Sequence, residues 1–139
     1  MKDSTVRGLS SFHTFVMRAT RGRVGRRLAR KDMLLLTTTG RRSGQPHTVP
    51  LLHLRDGSRL VVFASFGGRP YHPAWYLNIL SQPMASVLAD GHSTRVKARI
   101  ADEAERAVWW PRAVAAYSGY ADYQRKTARQ IPVVFLDPV

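Results

Sequence analysis

Apolar residues along this chain repeat at helical spacing near both ends and alternate with polar residues through the middle. Phe12, Phe15, Val16 and Ala19 form one helical stripe, which predicts an amphipathic helix over Ser11–Ala29. Its other positions carry Arg18, Arg21, Arg23, Arg26, Arg27 and Arg30, while Gly22 and Gly25 weaken it, so it reads as one helix or two pieces. Strand patterning then takes over at Met33–Thr39, Thr48–Arg55 and Arg59–Ser65, with Asp56–Gly57 as a hairpin turn. Gly67–Gly68–Arg69–Pro70 breaks the chain. His72 and Pro73 then read as the N-cap and first position of a short helix ending near Leu80. A second hairpin spans Ala85–Ala89 and Thr94–Ile100 across Asp90–Gly91. In its second strand Thr94, Val96, Ala98 and Ile100 share one face, and Arg95, Lys97 and Arg99 the other.

Asp102 followed by Glu105 predicts a capping box opening a helix to about Tyr117, in which Pro111 implies a kink or a late start. A second helical piece is expected to run to about Gln130, and Ile131–Leu136 is the last strand. Strands joined by short turns, with helices inserted at only two places, predict an α+β, mainly β fold: a split antiparallel β-barrel with an N-terminal helix and peripheral helices. A doubly wound parallel sheet would need a helix after nearly every strand. The expected division is a basic helical segment over residues 1–32 and a barrel over residues 33–139.

Length and apolar content (139 residues, 44% hydrophobic) suit one domain with a genuine core. The absence of cysteine removes disulfides, thiol nucleophiles and thiolate metal sites. That composition, with no apolar run of membrane-spanning length, leads to an expectation of a cytoplasmic protein. The basic N-terminal helix is a candidate for peripheral membrane contact. A net charge of +13 calls for an anionic partner: nucleic acid, an anionic membrane, or a phosphorylated or carboxylated small molecule. No RNA-recognition or helix-turn-helix signature accompanies the charge, so no nucleic-acid partner is expected, although a basic nucleic-acid-binding barrel is the first rival reading.

Three clusters can carry chemistry. Gly40–Arg41–Arg42–Ser43–Gly44 joins two strands, and its bracketing glycines let backbone N–H groups fold inward beside two guanidinium forks, an arrangement that can hold an anion. It is neither a Walker loop nor a Rossmann turn, since no Gly–Lys–Ser/Thr and no helix follow it. Ala64–Ser65–Phe66–Gly67–Gly68 places a hydroxyl beside glycines that admit a flat ligand; the plainer alternative is a strand-end hydroxyl bonded to backbone. Tyr117, Tyr120 and Tyr123 recur at helical spacing and suit either core packing or an aromatic lid over an apolar substrate. Trp75, Tyr76, Trp109 and Trp110 read as core, while the Asn78 amide is placed to reach a ligand. His47 and His53 share a strand parity but lack carboxylate neighbours, so no metal site is expected. Acids are too scarce for paired-carboxylate chemistry, which leaves a borrowed cofactor to carry any hard step.

Leu35–Pro46, Ala64–Ser65–x–Gly67–Gly68, His72–Pro73–Ala74–Trp75–Tyr76–x–Asn78, Tyr117–x–x–Tyr120–x–x–Tyr123 and Ile131–Pro132–Val133–Val134 together resemble the deazaflavin-dependent nitroreductase family of actinobacteria. The likeness covers about residues 33–138. It implies a split β-barrel of the FMN-binding-like type that uses reduced coenzyme F420, a deazaflavin with a phosphate and an oligoglutamate tail. By the same resemblance, Arg41, Arg42 and Ser43 hold the phosphate region, and His47, Thr48, Val49, Pro50 and Leu51 line the cofactor. Phe63, Ala64 and Ser65 pass beside the ring, and Ala74, Trp75, Tyr76, Leu77 and Asn78 complete the groove. Ser65 and Tyr120 stand nearest the chemistry, with Leu52, Tyr117, Tyr120 and Tyr123 on the substrate side. Phe66 stands where relatives often carry lysine, His47 where many carry arginine, and Leu52 where an aromatic can line the pocket. The implied activity is hydride transfer from F420H2 to small electron-poor apolar acceptors: quinones, activated enones or nitroaromatics. A split barrel that uses a flavin, or carries F420 without turnover, is the second rival, and a monomer or weak dimer is expected.

Overall fold

A computed structural model of the protein describes residues 32–139. The predicted N-terminal helix and its membrane contact lie outside the described residues. Seven strands form one wholly antiparallel sheet: β1 (Met33–Thr39), β2 (Pro46–Leu52), β3 (Leu54–Asp56), β4 (Arg59–Phe63), β5 (Met84–Ala89), β6 (His92–Ile100) and β7 (Val133–Pro138). Their order is β2-β1-β5-β6-β7-β4-β3. The two edge strands, β2 and β3, are consecutive in the chain, so the sheet must curl to bring its edges together: a split half-barrel. Three helices accompany it, α1 (Ala74–Ser81), α2 (Glu103–Ala116) and α3 (Gly119–Lys126).

Burial explains the curl. Leu34, Leu36, Val62, Val87, Val96, Val134 and Leu136 point into one core, which Trp75, Tyr76 and Ile79 of α1 complete. The opposite face of β4 and β7 offers Val61, Phe63, Val133 and Phe135 to Trp109 and Ala113 of α2 and Tyr120 of α3. β4 and β7 are therefore buried on both faces, which is why their sequences run continuously apolar instead of alternating. β6 keeps the expected alternation, with Val96 and Ala98 buried and Arg95, Lys97 and Arg99 exposed.

Several boundaries differ from the sequence reading. The single strand expected over Thr48–Arg55 is two: the chain leaves β2 at Leu52, turns at His53, and resumes as β3 against β4. His53 N–H donates to the Asp32 carbonyl at 2.8 Å, and its side chain is buried with neither ring nitrogen bonded. The α1 N-cap is Pro73 and not His72, and the Pro73 carbonyl accepts from Tyr76 N–H (3.1 Å) and Leu77 N–H (3.3 Å). The capping box forms as expected: Glu105 N–H donates to Asp102 Oδ1 at 2.8 Å and Asp102 N–H to Glu105 Oε1 at 3.0 Å. Pro111 neither delays nor divides α2, which starts at Glu103 and runs through it. α3 stops at Lys126, short of Gln130, and β7 begins at Val133, because Gln124 turns back to bind the intervening segment through Arg129 O and Ile131 N–H.

Candidate functional site

A cavity of about 800 Å³ opens between β2, the loop after β4, the first turn of α1 and the tyrosines around α3. That size suits a small molecule or cofactor. Among the residues expected at a site, His47, Val49, Pro50, Leu51, Leu52, Phe63, Ser65, Ala74, Trp75, Tyr117, Tyr120 and Tyr123 line it. Met33, Phe66, Gly67, Arg69 and Pro73 line the cavity as well; the motif that could have flagged Arg69 is the Gly–Gly–Arg–Pro break itself.

The remaining expected residues lie outside this lining. Ala64 is fully buried; its N–H donates to Pro132 O at 3.0 Å. Thr48 Oγ1 pairs with Thr37 Oγ1 at 2.7 Å, across the β1–β2 ladder. Tyr76 is buried in the inner core, and Leu77 packs against the same core. Asn78 is buried and fully engaged: its Nδ2 donates to Thr38 Oγ1 at 3.0 Å, and its Oδ1 accepts from Arg41 N–H at 3.1 Å and Arg41 Nη1 at 3.4 Å. The asparagine thus clamps α1 to the β1–β2 turn instead of reaching into the cavity.

That turn is tied to itself. Gly40 N–H donates to Gln45 O (2.8 Å), Gly44 N–H to Gly40 O (2.8 Å) and Gln45 N–H to Ser43 Oγ (3.1 Å). With Arg41 N–H committed to Asn78, most of the backbone donors expected to cradle an anion are already used. What the turn offers outward is side chains: Arg41, Arg42 and Ser43 are exposed. The turn adjoins the cavity through β2, whose His47 lines it, and through α1, whose Ala74 and Trp75 do.

The tyrosines meet differently from a single helical stripe. Tyr117 follows the end of α2, Ser118 occupies the N-cap position of α3 without a side-chain cap, and Tyr120 and Tyr123 stand on α3. The break folds Tyr117 back, giving ring centroids 5.2 Å apart for Tyr117–Tyr120, 6.3 Å for Tyr120–Tyr123 and 6.4 Å for Tyr117–Tyr123. A Cβ on Gly119 would lie 2.8 Å from the Tyr117 ring, so a larger residue there would have to displace that ring. Tyr120 also packs on Phe63 at 5.2 Å. Burial pushes its hydroxyl far above the ordinary phenol value, which keeps it a protonated donor. The Tyr117 hydroxyl, bonded at 3.5 Å, raises that of Tyr123.

The loop after β4 is the most constrained wall. Ser65 is in the right-handed region, and Phe66, Gly67 and Gly68 follow with φ of 47°, 63° and 80°. A left-handed phenylalanine is unusual and costs about 1–2 kcal/mol. A Cβ on Gly68 would fall 2.7 Å from the Tyr123 carbonyl oxygen, so the loop can pack on α3 only with glycine there. The Phe66 ring carries the Arg69 guanidinium 4.2 Å above its centroid. Behind the loop lies a residue that no sequence signal marked. Arg129 donates from Nη2 to Ser65 O (2.8 Å), from Nη1 to Ala64 O (3.1 Å) and from Nε to Arg69 O (3.0 Å). Its Nη1 also meets His72 Nδ1 at 3.0 Å, which assigns that nitrogen as the acceptor. Burial first, and the adjacent guanidinium second, hold His72 below its ordinary value, so it stays neutral.

Similarity to known proteins identifies the family. Residues 10–138 match the family of F420H(2)-dependent quinone reductases. An F420H(2)-dependent quinone reductase of Mycobacterium tuberculosis is 34% identical over 132 residues, spanning 92% of this chain and 89% of that protein. A solved F420-H2 dependent reductase is 40% identical, with a TM-score of 0.71 over 77% of this chain and 95% of its own. Another solved structure at 40% identity and the same TM-score, covering 77% of this chain and 81% of that one, is a domain-swapped dimer.

Proposed function

Given that the chain belongs to the F420H(2)-dependent quinone reductase family, we propose that the cavity holds reduced coenzyme F420 against a quinone, with Ser65 and Tyr120 at the reacting end. The protein is an oxidoreductase, its cofactor is reduced F420, and quinones are its acceptor class. The observation that carries the site assignment is the cavity's wall chemistry. Apolar β2 residues, Trp75 and the tyrosines give a slot for a flat ring, Ser65 gives one polar edge, and exposed Arg41 and Arg42 stand on the turn that leads into β2, whose His47 lines the cavity. That donor set fits a ring bearing an anionic tail.

When bound, the reduced deazaflavin supplies a hydride, which together with one proton converts a quinone to its hydroquinone and leaves the oxidised cofactor. This chain's residues orient and insulate that exchange. Val49, Leu51 and Trp75 hold the ring flat, and Phe66 and the three tyrosines keep water from the acceptor. The Ser65 hydroxyl favours negative charge developing at the loop. The Tyr120 hydroxyl, protonated across the physiological range, donates a hydrogen bond to the acceptor oxygen. We extend the acceptor range to activated enones and nitroaromatics, since the walls are apolar and the only demand on the acceptor is electron deficiency. Arg69, stacked on Phe66, supplies the cavity with a positive charge that relatives often carry as lysine at that position.

Fluorescence titration with F420 at several salt concentrations tests this reading, together with menadione turnover. Saturable micromolar binding that weakens with salt is expected; its absence would sink the assignment. Sedimentation at several concentrations addresses the expected monomer or weak dimer.

A further inference from the structure

The wall that carries Ser65 is held from behind by a half-buried cation. Arg129 reaches it from the segment between α3 and β7, and gives donors to the carbonyls of Ala64, Ser65 and Arg69 and to His72 Nδ1. Among the described residues no carboxylate pairs with it. Burial lowers its proton affinity from the ordinary arginine value, with the Tyr76 phenol opposing, yet a guanidinium stays charged. Carbonyl oxygens alone could be satisfied by neutral donors, so a half-buried guanidinium with no carboxylate beside it adds to the anchoring a positive field at the loop.

The carbonyl directions add a second consequence. A trans peptide is planar, with its C=O and the next residue's N–H pointing oppositely. Drawing the Ala64 and Ser65 carbonyls onto Arg129 turns the N–H groups of Ser65 and Phe66 away from it, and neither N–H has an acceptor among the described residues. Ser65 and Phe66 both line the cavity.

We propose that Arg129 is a positioning residue for the reduction: it sets the Ser65–Phe66 peptides with their donors toward the cavity and leaves a positive field behind them, where negative charge accumulates during hydride transfer. The proposal rests on the cavity's assignment to F420 and a quinone. It gives a chemical reason for the left-handed Phe66, since the guanidinium holds open a backbone shape that the sequence alone disfavours.

Arg129→Lys, which keeps the charge, and Arg129→Gln, which keeps donors without charge, separate field from anchoring. In Arg129→Gln the kcat for menadione should fall about 100-fold, the size of losing one oxyanion donor, with KM changed less than about threefold. In Arg129→Lys the loss should stay within about tenfold. Two readouts do not depend on turnover: the affinity for oxidised F420, expected to fall only a few-fold and alike in both variants, and the His72 titration followed by NMR. His72 should titrate at higher pH in Arg129→Gln and stay in place in Arg129→Lys. Equal kcat losses in the two variants, or an unmoved His72 in Arg129→Gln, overturn the proposal. If the unaltered protein binds no F420, the reading of the cavity fails as well, and the His72 titration tells the two failures apart.

Discussion

Two loops bound the cavity's neighbourhood, and both are built from glycine and arginine to opposite effect. The β1–β2 turn ties its own backbone together and leaves the Arg41 and Arg42 side chains exposed, Arg41 spending only Nη1 on Asn78. The loop after β4 leaves its backbone donors unspent at Ser65 and Phe66 and consumes an arginine, Arg129, as its support. One loop uses backbone as structure and side chains as function; the other reverses the assignment. Guanidinium groups near a cavity therefore need sorting by what they already hold before any is called a ligand-binding residue.

The largest effect that separates the loops is on cofactor affinity. Replacing Arg41 and Arg42 together with alanine should weaken F420 binding by about 1.5–3 kcal/mol for each charged hydrogen bond lost, while the unfolding midpoint barely moves, as exposed substitutions rarely matter. Unchanged affinity in a fluorescence titration would place the anion elsewhere. Next come the glycines. Gly68→Ala forces a left-handed alanine with its Cβ 2.7 Å from Tyr123 O, and should cost about 3 kcal/mol of stability through strain plus overpacking. Gly44→Ala, at φ +69° with nothing near, should cost only about 1 kcal/mol. Equal losses in urea unfolding would break the contrast between a packed loop and a free turn.

Asn78→Ala probes the clamp between α1 and the turn. It orphans the Arg41 N–H and removes the Thr38 hydroxyl's donor, so it should cost about 2 kcal/mol. It should also weaken F420 binding by releasing Arg41, and a variant that loses stability alone would mean that the turn needs no anchoring.

The smallest expected effect is on pH dependence. Burial first, with Arg55 also contributing, holds His53 below 6.5, and His72 is depressed likewise by burial and Arg129. The unfolded chain then binds protons that the folded chain refuses. Stability is full above about pH 6.5 and declines as pH falls from there toward the folded values. Glu105, held near 2 chiefly by its Arg99 bond against 4.5 when free, titrates below that window. His53→Leu should flatten part of the slope between pH 7.5 and 5.5; an undiminished slope would exclude His53 as its source.

How much of this was legible beforehand varies with the range of the cause. The strands, the Asp102–Glu105 capping box and the Arg41–Arg42 turn were legible because each depends on neighbours within a few positions. The β2–β3 break was missed because His53 continues the alternation of Thr48–Arg55, and only pairing to different partners separates the two strands. Pro111 in the sequence implies a kink or a late start, yet α2 runs from Glu103 through it. Asn78 looked like a ligand contact because its two long-range partners, Thr38 and Arg41, are far away in the chain.

The sequence by itself determined the class of fold, the presence of a glycine-bracketed turn at Arg41–Arg42 and the family, since alternation, glycine placement and motif order are local properties of the chain. Only the tertiary structure decided which donors are spent and which are free. Hydrogen-bond satisfaction depends on the whole fold: Arg129 is one arginine among many until folding brings it to the carbonyls of Ala64, Ser65 and Arg69, and Arg41 is fixed at the turn because Asn78 has crossed from another element to accept from its backbone and its guanidinium.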